Sequence, residues 1–169
     1  HFVMCDELKT INLTDCAFIR FAFVLPTGGV SVIKLFIMHG WGGGRTAGAE
    51  PNHLFRLGTY VDADIILRGH GHSFCIPASQ PHLYIPDRGA LPDECLQREV
   101  YTGNWGCWQK SYAVGAPTYD SQRAYPPRPL KAVEIVIKPF HNYNTIVEGK
   151  NMVQCKSIIT MNECPFEME

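Results

Sequence analysis

The chain has 169 residues, 15 Lys+Arg against 16 Asp+Glu, 7 His and 46% hydrophobic residues. That length suits one domain able to bury about 68–70% of its unfolded surface. A net charge of -1 excludes a surface built throughout for a polyanion, so a nucleic-acid partner is not indicated. No apolar run reaches the roughly 18 residues of a transmembrane helix, so no membrane partner is expected. The longest run, Ala17–Leu25, is broken by Arg20 and closed by Pro26. A charged fraction of 18% with 15 Gly and 12 Pro reads as a loop-rich globular domain.

In chain order, Ala17–Leu25 is aromatic and β-branched and predicts a strand. Pro26-Thr27-Gly28-Gly29 predicts a turn, and Val30–Met38 a second apolar strand completing a hairpin. Gly40–Gly48 holds five glycines and reads as a loop. Leu54, Leu57 and Val61 recur at helical spacing, with Pro51 in the first turn, so Glu50–Val61 predicts a short helix. Ala63–Leu67 is a short apolar strand. This order is an α/β signature. Short strands follow at Phe74–Ile76, His82–Ile85, Glu99–Tyr101, Ala132–Lys138 and Val153–Ile159. Gly115–Pro129, with four prolines, reads as a fixed surface loop, and Met161–Glu169 as a tail. A soft boundary near Lys138–Lys150 divides the chain into 1–140, the α/β unit, and 141–169, an appendage.

Seven cysteines at irregular spacing, with no C-x-x-C, read as reduced thiols in a cytoplasmic protein. The start at His1, without Met, suits a processed chain or the later part of a longer one.

The chemistry concentrates at two strand ends. Phe36-Ile37-Met38-His39-Gly40 ends an apolar strand in a histidine, and Leu67-Arg68-Gly69-His70-Gly71-His72-Ser73 ends another in two. Ligands of α/β sheets gather at the carboxyl ends of strands. Parallel neighbours stand about 4.8 Å apart, close enough for His39, His70 and His72 to meet one cation. Gly69 and Gly71 permit backbone conformations that turn both imidazoles of the second loop to one side. Three imidazoles suit zinc, iron, manganese or a similar ion. Arg45, in the glycine loop beside His39, suits a phosphate oxygen or simply solvent. His53 reads as a surface residue on the helix, and His82 and His141 as structural. Asp64 reads as a cap or a solvent-facing acid. Trp41, Trp105, Trp108 and Tyr112 suit either a substrate groove or the core.

Strand–His-Gly, helix, strand and then Gly-His-x-His resembles the C-terminal half of a calcineurin-like metallophosphoesterase. The anchors are Met38-His39-Gly40, Ala63–His72 and Thr102-Gly103-Asn104-Trp105, and Trp41–Arg45 is similar to a loop of phage- and bacterial-type members. The resemblance implies part of a β-sandwich flanked by helices. It also implies metal-dependent hydrolysis of a phosphoric ester, with two divalent ions (Mn, Zn, Fe or Mg) in the complete enzyme. His39 and His70 match ligands of the second metal, and His72 one of the first. In the family the paired ions supply the attacking hydroxide and hold the phosphoryl oxygens. The acidic N-terminal blocks have no counterpart here. No Asp precedes a His by two residues, there is no Gly-Asp, and the one Gly-Asn, Gly103-Asn104, is followed by Trp105. The resemblance therefore implies that an upstream segment or a partner chain supplies the missing acids. The alternative is a non-catalytic metal-binding or assembly module on the same fold.

Overall fold

The computed structural model describes residues 14–24, 30–41, 46, 48–85, 96–147 and 150–165, with 140–157 and 165 described through strand pairing alone. The expected turn at Pro26–Gly29 and the glycine loop at 42–45, Arg45 included, lie outside the described residues.

The protein is mixed α/β, mostly strands with few helices. Strand β1 (Cys16–Val24) pairs antiparallel with β2 (Val30–Met38), the expected hairpin partners. From β2 the chain passes through helix α1 (Ala49–Tyr60) to β3 (Ile65–Arg68), which lies parallel to β2. Two short strands, β4 (Phe74–Cys75) and β5 (Gln80–Tyr84), precede β6 (Leu96–Trp105). β6 lies parallel to β3, while β4 and β5 pair antiparallel with its other edge. These six strands form one sheet, with β2, β3 and β6 parallel side by side.

Strand alternation sorts apolar side chains onto the two faces. On one face Phe36, Ile66 and Val100 pack with Leu54, Leu57 and Ala63 of α1 and its exit. On the other, Ile33, Leu35, Ile65 and Leu67 pack with Ile159, Ile135 and Met161. Those partners belong to a long hairpin of β7 (Lys131–Val147) and β8 (Lys150–Pro165). The expected tail is therefore strand as far as Pro165. Its start at Met161 is apolar because it faces Gly103, where an added Cβ would stand 2.6 Å from Met161 Cε.

The expected surface loop at Gly115–Pro129 contains a further short helix, α2 (Tyr119–Arg123). Its prolines lie outside the turn, and a capping box holds its start: Ser121 N donates to Thr118 Oγ1, and Thr118 N to Ser121 Oγ.

Asp64 neither faces solvent nor binds at the strand ends. It clamps β2 to β3, as its Oδ2 accepts from Lys34 N at 2.7 Å and its own N–H donates to Lys34 O at 2.9 Å. Among the described residues, no helix is long and apolar enough to cross a membrane.

Candidate functional site

The three parallel strands end together. Met38, Arg68 and Asn104 stand in register across β2, β3 and β6, so His39-Gly40, Gly69–His72 and Trp105-Gly106 leave the sheet at one edge. His39 is fixed by its N–H, which donates to Asp15 O at 2.8 Å, and Gly69 N–H donates to Met38 O at 3.0 Å.

His39 and His70 meet. His70 Nδ1 lies 3.0 Å from His39 Nε2, with the ring planes at 86°. Without an ion, one ring donates to the other. Two imidazole nitrogens each about 2.0–2.1 Å from one metal ion stand about 2.8–3.4 Å apart, for angles between octahedral and tetrahedral. The observed separation lies within that range.

His72, two residues on, is half-buried, and its ring lies 6.1 Å from that of Tyr119. Burial, with the nearby Arg128 guanidinium, holds its pKa below the ordinary imidazole value. His72 is therefore neutral at pH 7, the form that ligates metals. Among the described residues, no three His, Cys, Asp or Glu side chains are grouped closely enough to hold a metal ion. The structure thus joins His39 to His70 and sets His72 beside Tyr119.

The glycines of the second loop act differently from the expectation. The histidines themselves take the left-handed backbone, at φ 65° for His70 and 52° for His72. Gly69 and Gly71 provide room instead. A Cβ on Gly69 would stand 2.4 Å from Trp105 Nε1, and one on Gly71 2.3 Å from Glu50 Oε1. Left-handed non-glycine residues cost roughly 1–2 kcal/mol each. Two in one loop store strain where the candidate ligands sit.

Beneath this loop lies a charged group that the sequence reading did not assign. Arg68 and Glu50 form a buried ion pair at 2.8 Å. Asn104 Nδ2 donates to the same carboxylate oxygen at 3.0 Å. Arg68 also donates to Trp41 O and, at 3.2 Å, to His53 Nδ1. A guanidinium has no acceptor, so His53 carries its ring proton on Nε2. His53, expected at the surface, is thus partly buried against Arg68. A signal for this network was present. Arg68 ends a run of buried apolar residues, and Glu50 shares the α1 stripe of Leu54 and Leu57. A buried charge at each place requires a partner.

A second polar group holds the backbone just before His72. Arg128 Nη1 donates to Gly71 O at 2.9 Å, and its guanidinium lies over the Tyr125 ring at 4.9 Å. Ser111 Oγ donates to the buried Asp120 at 2.5 Å. Among the aromatics left open above, Trp105 packs against Gly69, whereas Trp41, Trp108 and Tyr112 are exposed. The side chain of His141 lies outside the described residues, and His82 is partly buried on β5. Burial, with the Glu50 carboxylate, pushes the Cys75 thiol up, so it remains protonated and does not act as a thiolate.

Comparison with protein-family models, curated proteins and solved structures finds no match to this chain.

Proposed function

We propose that this chain is the histidine-bearing part of a cytoplasmic, metal-dependent phosphoric ester hydrolase of the calcineurin-like metallophosphoesterase type. One observation carries the reading: two imidazole nitrogens 3.0 Å apart at the carboxyl ends of adjacent parallel strands. His39 and His70 would hold a divalent ion, with His72 brought to the site from the same loop. The ion, when bound, supplies Lewis acidity toward the phosphoryl group and an activated water. The residues themselves fix the ligand nitrogens, keep His72 neutral and seat the loop on the Arg68–Glu50 pair. Placement of α1 and the β7–β8 hairpin on opposite faces of the sheet supports the sandwich part of this reading. The acidic ligands would come from a segment outside those described, or from a partner chain.

A second reading, a non-catalytic assembly module, draws support from the edge of the sheet. Phe18 and Val24, on the α1 side of β1, are 64% and 68% exposed. An apolar strand at a sheet edge favours pairing with another chain.

Metal content by mass spectrometry, measured with turnover of a chromogenic phosphoester, separates the readings. Bound metal with turnover that His72→Ala abolishes supports the hydrolase. Metal without turnover supports a binding module, and neither supports assembly alone.

A further inference from the structure

A shallow cleft of about 70 Å³ opens beside the strand ends, lined by Trp41, His53, Arg56, Leu57, Tyr60 and Arg68. It adjoins the histidine pair through the chain itself. Trp41 is two residues after His39, and Arg68 two before His70. Gly40, between His39 and Trp41, lies against Arg68, where an added Cβ would stand 2.8 Å from Arg68 Cγ.

One wall is a stripe of α1. His53, Arg56, Leu57 and Tyr60 recur at i, i+3, i+4 and i+7 and so share one side of the helix. This stripe borders the core stripe of Glu50, Leu54 and Leu57 but carries polar and aromatic groups. Trp41 also lines the cleft. Trp41 and Tyr60 are each 65% exposed, although each carries a large apolar surface. Trp41 is held in place, since its carbonyl accepts from the buried Arg68 guanidinium. The Arg68 charge is itself offset by Glu50. Arg56 is exposed, and among the described residues no carboxylate pairs with it. The cleft thus offers two aromatic faces, one fixed at its backbone, and one available cation.

We propose that this cleft binds the planar aromatic part of a nucleotide, with Trp41 and Tyr60 against the base and Arg56 on an anionic group. This names the substrate class of the site and rests on the hydrolase reading. Aromatic side chains stack on any base through its π-face, and a guanidinium suits phosphate geometry. An aliphatic phosphoester would leave both rings unused.

The test measures binding without turnover. The full chain, in EDTA, is titrated by calorimetry with AMP and with ribose 5-phosphate. AMP should bind about 5- to 150-fold more tightly, the range for one base–aromatic stack. Trp41→Ala should lose that advantage while leaving ribose 5-phosphate unchanged, and Trp41→Phe should retain most of it. Tyr60→Ala, at a second exposed position, should weaken AMP alone, and Arg56→Gln should weaken both ligands. Equal affinity for the two ligands, or AMP binding unchanged in both aromatic variants at an unaltered melting temperature, overturns the proposal. Because the assay contains no metal and no hydrolysis, those results leave the hydrolase reading standing. Absent turnover with intact AMP discrimination sinks the hydrolase reading instead.

Discussion

Replacing Gly71 by Ala perturbs the packing beneath the histidine loop without removing any candidate ligand. The added Cβ would stand 2.3 Å from Glu50 Oε1, 2.8 Å from Glu50 Cδ and 2.9 Å from Asn104 Nδ2. Neither neighbour can retreat freely. Glu50 is paired with Arg68, Asn104 donates to the same carboxylate, and all three are buried. Overpacking a filled core costs about 1–3 kcal/mol. Displacing Glu50 adds part of the roughly 3–5 kcal/mol lost when a buried pair is broken. A net loss of about 2–4 kcal/mol lowers the melting temperature of a domain this size by about 4–16 °C. Scanning calorimetry reads this directly. Gly115→Ala is the control: φ there is 77° with nothing within 4 Å of an added Cβ, so its cost is conformational, about 1 kcal/mol. In a Glu50→Ala background, the Gly71→Ala penalty should shrink by about 1 kcal/mol or more, since the two positions are in contact. A Gly71→Ala protein melting within about 2 °C of the parent refutes the placement of Glu50 against Gly71.

Two other outcomes are expected. His70 stands at φ 65°, so His70→Gly should be more stable than His70→Ala by about 1 kcal/mol, read as the urea midpoint; equal midpoints would show that the loop is not left-handed there. Asp62 accepts from Lys34 and Arg98, which lower its pKa from 3.8 to about 2. The folded value lies below the unfolded one, so the associated stability is fully present above pH 3.8 and is lost as pH falls toward 2. The side chain is 66% exposed, which limits the effect to about 0.5–1 kcal/mol. Asp62→Asn should flatten the stability profile between pH 4 and pH 2 by that amount, as followed by urea unfolding; an unchanged slope would remove Asp62 from the acid response.

The elements β1, β2, α1 and β3 were legible because each is written in a local period. Alternating or continuous apolar runs mark the strands, and Leu54 and Leu57 at helical spacing mark α1. The parallel pairing of β2 and β3 followed from the intervening helix, and with it the meeting of His39 and His70. Helix α2 was hidden by its prolines, because its capping residues Thr118 and Ser121 are weak signals beside four ring-locked neighbours. Met161 reads as tail in the sequence because its partner, Gly103, lies far away along the chain and has no side chain to announce a contact.

Tertiary structure alone decided how the loop is held. Glu50, Arg68 and Asn104 lie 18 and 36 residues apart along the chain, Glu50 to Arg68 and Arg68 to Asn104, so no local pattern links them. Their strands and helix bring them together, and low polarity around them obliges the charges to pair. The same assembly decided which residues of the Gly-His-Gly-His segment bear the unusual backbone. Sequence favours glycine for positive φ, but contacts with Trp105 and Glu50 reserve both glycines for space and pass the left-handed conformation to His70 and His72. Which residue types stand at the strand ends was thus set by the chain, and their separation and support by packing between segments remote in sequence.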